Sequence, residues 1–146
     1  VDLIDLKPAK PGWGQVWQGS ELADWFDKVP SPKCVISMVG ECGLGPAISW
    51  AMIDDDRATL PDAGLIAAAD ASIGFLKNGY NLLVHCFEGK FRSTYMDVAI
   101  HMRTGMLFAD AYALVRSRHV IADLREGTKA QLMRLESVLN SVVKPT

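Results

Sequence analysis

The segment that most restricts the fold of this chain is Asn81-Leu82-Leu83-Val84-His85, an apolar run too short for a buried helix, with Gly79 ahead of it and Gly89 behind. Such a run reads as a strand covered on both faces, the place of an interior strand in a parallel sheet. Residues 86–91 then form a short loop, and from Ser93 to Arg103 the pattern turns helical until Thr104-Gly105 stops it. A buried strand that feeds a tight loop and then a helix belongs to an alternating strand and helix architecture.

The flanking segments agree. Pro and Gly make a loop of the chain to about Gly14, and Val16-Trp17 forms a short apolar strand. Ser20 is placed to cap a short helix, Glu21 to Asp27, which Pro30 and Pro32 end. Cys34 to Val39 is a β-prone run, Gly40 to Pro46 a loop, and Ala47 to Ile53 a weaker strand, followed by the acidic run Asp54-Asp55-Asp56-Arg57. Leu65, Ala69, Ile73 and Leu76 recur at helical spacing between Pro61 and Gly79. Two more helices are expected, Phe108 to Arg118 and about Thr128 to Val143. The predicted fold is α/β, a mainly parallel central sheet flanked by helices on both faces and joined by right-handed crossovers.

A chain of 146 residues fits a single domain, 1–146, whose core closes without metal or disulfide. The formal charge of −2 gives no general attraction to nucleic acid or anionic lipid, so an anion site must be a local concentration of Lys and Arg. No nucleic-acid partner is expected. No apolar stretch approaches the roughly 20 residues that cross a bilayer, so no membrane insertion is expected either. Three cysteines, Cys34, Cys42 and Cys86, cannot all pair within one chain, which fits a reducing, cytoplasmic setting. The start, Val-Asp-Leu-Ile-Asp-Leu-Lys-Pro, has no initiator Met and reads as a trimmed terminus.

The chemistry concentrates after His85. Ligands gather beyond the carboxyl ends of parallel strands, where the next helix aims its positive end and free amides. There the amides, the helix dipole and Arg92 all favour a Cys86 thiolate, a nucleophile at neutral pH. Arg92 offers a planar fork that matches two oxygens of a phosphate. Gly89 lets the backbone approach the anion without a β-carbon, and Phe87, Glu88, Lys90 and Phe91 complete a loop of main-chain donors. Ser93 is placed to donate to the sulfur. A cysteine at a strand end is commonly a small buried hydrophobe, and a lone Cys-x5-Arg spacing arises by chance. His before the Cys, Gly inside the loop, Ser after the Arg and the strand and helix flanks argue for chemistry.

His85, Cys86, Arg92 and Ser93 match H-C-x5-R-[ST], and here the chain resembles the protein tyrosine phosphatase superfamily, specifically the small dual-specificity phosphatases. Val16-Trp17-Gln18-Gly19-Ser20 is similar to that family's first strand and Gly-Ser turn, and Ala111 to Arg118 with Gln131-Leu132 to its closing helices. The resemblance implies a general acid on a loop about thirty residues before the Cys. Asp55 stands 31 positions upstream, after Ile53-Asp54, and fits best. Asp54 and Asp56 stay open as alternatives because the loop lacks the Pro that often anchors the motif, and solvated turn residues would look the same. The implied mechanism passes through a phosphocysteine and calls for no metal or cofactor, with His85 structural. The implied partners are phosphorylated proteins carrying phosphotyrosine, phosphoserine or phosphothreonine, with phosphate- or sulfate-like anions in the site.

Phe87, Glu88 and Phe91 depart from the small residues common in such loops. Phe91 puts bulk beside the anion, and Glu88 is expected to face away and bond to backbone or a basic side chain, since a carboxylate near phosphate is repulsive. Lys90 matches a Lys found in some phosphoinositide and inositol phosphate phosphatases of the superfamily. That keeps phosphoinositides or RNA 5′ phosphates open as alternative substrates, beside an inactive phosphate-binding pseudophosphatase. No phosphotyrosine-recognition segment is visible, which implies a shallow pocket. Arg57, Arg103, Arg125 and Lys129 are candidate rim residues, and Cys34 and Cys42 read as buried and inert.

Overall fold

Residues 1–20, 25–39 and 47–141 are described by the computed structural model. Among them five strands form one sheet: β1 (Asp2–Ile4), β2 (Val16–Gly19), β3 (Lys33–Ser37), β4 (Ala47–Ser49) and β5 (Asn81–His85), in the order β1-β2-β5-β3-β4. The apolar run that restricts the fold is its centre. β5 pairs in parallel with β2, Val16 opposite Leu82, and with β3, Cys34 opposite Leu82; β3 and β4 are also parallel, and only β1 runs antiparallel to its neighbour β2.

Side chains alternate across the sheet, so Leu82 and Val84 face one side and Leu83 the other, and all three are buried. On the first side they join Val16, Cys34 and Ile36 under α2 (Asp62–Lys77) and α3 (Arg92–Arg103). On the second side Leu83, Val35 and Trp17 meet Val29, which follows the short α1 (Trp25–Lys28). Helices thus lie on both faces, though unequally. α4 (Phe108–Arg118), α5 (Glu126–Arg134) and α6 (Glu136–Leu139) complete the thicker layer around α3.

The boundaries of α2, β5 and α4 follow the sequence pattern closely. Gly79 closes α2 at φ +82°, its N–H donating to Leu76 O at 3.0 Å. Other elements differ. The expected opening loop contains β1, whose Ile4 is fully buried. β3 ends at Ser37 and β4 at Ser49, because Met38, Trp50 and Met52 continue from there with irregular hydrogen bonds to His85, Ser37 and Met38. The single helix expected from Thr128 divides at Leu135 (φ −90°, ψ 6°), and Glu136 beyond the break accepts from Phe108 N at 2.8 Å, satisfying a free amide at the start of α4. Of the expected helix Glu21 to Asp27, residues 21–24 lie outside the described residues, as do the Gly40 to Pro46 loop with Cys42 and residues 142–143.

Candidate active site

Cys86 is the first residue beyond β5 and is buried, with Sγ 3.3 Å from Ser93 Oγ. Both lie where the central strand points at the start of α3, whose first turn carries no acidic residue. His85, also buried, ends β5 in register with Gly19 and Ser37.

The loop between them is shaped by its carbonyls. Gly89 O accepts from His119 Nε2 at 2.6 Å, and Lys90 O accepts from Thr94 Oγ1 at 2.6 Å and Asp123 N at 3.1 Å. In a planar trans peptide the N–H lies on the edge opposite the C=O, so the Lys90 and Phe91 amides point away from those partners. Gly89 has φ +73° and packs so close to the next strand that an added Cβ would stand 2.9 Å from Gly19 O. His119 is itself held by Asp2 Oδ2, 2.6 Å from Nδ1.

Arg92 opens α3. One guanidinium nitrogen donates to Met52 O at 3.0 Å, while Nε is buried without a hydrogen-bond partner among the described residues. A buried guanidinium donor left unsatisfied in this way is suited to an anion. Phe87 and Glu88 face solvent, and the backbone or basic partner expected for Glu88 is absent among the described residues. The half-buried Phe91 ring has Arg125 stacked at 3.8 Å and Lys90 Nζ at 4.8 Å.

The acidic loop lies against this wall, and Asp54 and Asp55 line one hollow with Met52, Phe91, Arg92 and Arg125. Arg125 holds two of the three aspartates, Asp54 at 3.1 Å and Asp56 at 3.0 Å. Asp55 instead accepts from Arg57 N at 2.9 Å, a local turn bond, and has no cation partner among the described residues. Farther on, the buried Tyr95 hydroxyl takes Leu60 N and bonds Gln131, whose amide reaches Leu60 O at 2.7 Å; burial raises the Tyr95 phenol well above its ordinary value.

The structure gathers Cys86, Ser93, Arg92, the loop and the acidic run at one end of the sheet, with Arg125 among the candidate rim residues. Arg103 is a correction. It lies at the far end of α3, about 16 Å along the helix axis from Arg92, bonded to Asp70 at 2.6 Å and to carbonyls of residues 138, 139 and 141. Sequence reasoning passed over Gln18, Asp97, His101 and His119. Their signal is a polar residue inside an apolar strand or helix, where burial demands a partner.

No protein-family model matches the chain, and no curated protein matches its sequence. Solved structures match it in fold. Human DUSP28 superposes with a TM-score of 0.72 over 97% of this chain and 99% of its own, at 22% identity. DUSP15 gives 0.73 over 90% and 87% at 19% identity, and PTPMT1, solved in complex with PI(5)P, gives 0.73 over 86% and 92% at 15%. The architecture is therefore that of the protein tyrosine phosphatase superfamily. Within it, nearly full-length coverage in both directions gives the chain the fold of the dual-specificity phosphatases.

Proposed function

We propose that this chain is a cysteine-dependent phosphomonoesterase that removes phosphate from tyrosine, serine and threonine side chains of proteins. The observation that carries the reading is Cys86 at the end of the central strand, 3.3 Å from Ser93, in a loop closed by an Arg92 whose buried Nε lacks a partner among the described residues. The Cys86 thiolate attacks phosphorus, the S–P bond forms as the P–O bond to the leaving group breaks, and Asp55 gives its proton to the departing oxygen. Arg92 and the loop amides hold the phosphoryl oxygens. Water then attacks the phosphocysteine, Asp55 takes its proton, and the P–S bond breaks with Ser93 donating to the leaving thiolate. Among the three aspartates Asp55 is favoured because Arg125 occupies the other two. His85 is structural in this scheme.

The decisive assay is para-nitrophenyl phosphate hydrolysis with rapid quenching. Turnover abolished in Cys86→Ser, with a phosphoryl group trapped on Cys86 in the Asp55→Asn protein, is the expected result. Equal rates for wild type and Cys86→Ser would overturn it, and a wild type that binds vanadate without turnover would make the chain a pseudophosphatase. A phosphoinositide substrate is the second reading, favoured by Lys90 at the loop rim beside Phe91 and by the likeness to PTPMT1. Selective loss in Lys90→Ala on phosphoinositide vesicles, against phosphopeptides, would establish that reading instead.

A further inference from the structure

Behind Ser93 lies a buried polar line that the proposed reaction does not use. Gln18 of β2, Ser93, Asp97 and His101 of α3 are all fully buried. One end of the Gln18 amide is 2.6 Å from Asp97 Oδ2, the other 2.8 Å from Thr94 Oγ1, 3.2 Å from Ser93 Oγ and 3.3 Å from Thr94 N. An oxygen that close to a carboxylate would be repelled, so the nitrogen faces Asp97 and the oxygen faces Ser93 and the Thr94 amide. The orientation is locked from behind. His101 Nδ1 stands 2.9 Å from both Asp97 Oδ1 and the Asp97 main-chain carbonyl; its N–H is aimed at the carbonyl, leaving Oδ1 in ionic contact. His101 Nε2 is 3.1 Å from Ile4 O of β1. Both ring nitrogens thus face acceptors, an arrangement that suits an imidazolium beside the Asp97 side chain. Burial disfavours the charged ring, but the Asp97 side chain outweighs it and holds His101 above the ordinary histidine value.

Ser93 has one proton and two acceptors at almost equal range, Gln18 Oε1 at 3.2 Å and Cys86 Sγ at 3.3 Å. We propose that Gln18, locked by Asp97, is a positioning residue that competes with Cys86 for the Ser93 proton and so moderates how readily the sulfur becomes, and leaves as, a thiolate. With Cys86 as thiol the line runs in one direction: S–H donates to Ser93, Ser93 to Gln18, Gln18 to Asp97. When the sulfur is anionic the Ser93 hydroxyl turns to it, and the bond to Gln18 is given up while Gln18 keeps the Thr94 amide. The reaction steps rest on the phosphatase reading above; the competition for the proton does not.

The charged and titratable groups around Cys86 come from several sides: Arg92, Lys90 and Glu88 in its own loop, His85 on β5, Asp54, Asp55 and Arg125 around the hollow that Arg92 lines, His119 on the Gly89 carbonyl, and the Asp97–His101 pair beyond Ser93. The test therefore isolates Gln18 through Ser93. The pH dependence of Cys86 alkylation by iodoacetamide, read on the Cys86 peptide by mass, needs no substrate. Gln18→Met removes the acceptor at nearly constant volume, and releasing one neutral hydrogen bond lowers the alkylation midpoint by about half a pH unit, roughly a threefold gain in thiolate. In a Ser93→Ala background the same substitution has no effect. Gln18→Met with Asp97→Asn, which leaves no unpaired carboxylate, covers the case in which the single variant unfolds. An unchanged midpoint, or an equal shift without Ser93, overturns the proposal. Failure of wild type to hydrolyse para-nitrophenyl phosphate overturns the phosphatase reading and leaves the alkylation result standing.

Discussion

Alanine at Gly89 should be far more damaging than alanine at another glycine with the same backbone angle. Gly89 and Gly12 both occupy the left-handed region, at φ +73° and +82°, where an L side chain costs about 1–2 kcal/mol. At Gly12 that is the whole effect, because a Cβ there has nothing within 4 Å. At Gly89 the Cβ would stand 2.9 Å from Gly19 O, 3.0 Å from Gly19 C and 3.1 Å from Ser20 N. These are main-chain atoms, and Gly19 is pinned in the sheet opposite His85, so they cannot move without disturbing the strand that carries Cys86. Overpacking of this kind adds about 1–3 kcal/mol, for a total of about 2–5 kcal/mol. For a chain of this size about 1 kcal/mol moves the melting temperature by about 3 °C. Thermal unfolding followed by circular dichroism should therefore drop by about 3–6 °C in Gly12→Ala and about 6–15 °C in Gly89→Ala, and vanadate affinity should fall only in the latter. Equal shifts at the two positions, with vanadate affinity unchanged, would refute the close seating of the loop against β2.

Two further outcomes follow from the same geometry. Arg125→Ala releases Asp54, Asp56 and the face of Phe91 together, so kcat/KM for phenyl phosphate, whose leaving group needs a proton, should fall roughly tenfold, and that for para-nitrophenyl phosphate much less; an unchanged ratio between the two substrates would count against the clamp. His101 binds its proton more tightly when folded, so its contribution to stability is present below the ordinary histidine value and is lost as the pH rises through the raised one. The urea midpoint of wild type should accordingly decline as the pH is raised above the ordinary histidine value, while that of Asp97→Asn with His101→Gln stays level; parallel profiles would show that the pair is not ionised.

What could be read beforehand was what local pattern encodes. β5, α2 and α4 are each long enough or apolar enough to declare their period, and the Cys86 to Ser93 run follows directly on β5. β1 could not be read because three residues with one partner strand carry almost no periodicity; its place is fixed by pairing with β2 and by the bonds His101 and His119 make to Ile4 and Asp2. Arg103 and Arg125 look alike as sequence, and only the direction of α3 separates one at its far end from one over the loop. The break at Leu135 depends on Glu136 meeting the start of α4, a contact between segments 28 residues apart. Spacing favours Asp55 but leaves Asp54 and Asp56 open, and what sets it apart in space is Arg125, which takes the other two.

The position of β5 also has a bearing on when the site comes into being. Its partners β2 and β3 leave roughly 66 and 48 residues of chain between paired positions, the kind of distant closure that sets the pace of folding. Cys86 extends from the strand that both closures must capture. A fragment or a partly assembled chain thus carries Cys86 as an ordinary thiol, exposed to oxidants and unable to hold an anion. Phosphate, by binding only the finished cup, would draw the population toward the completed sheet.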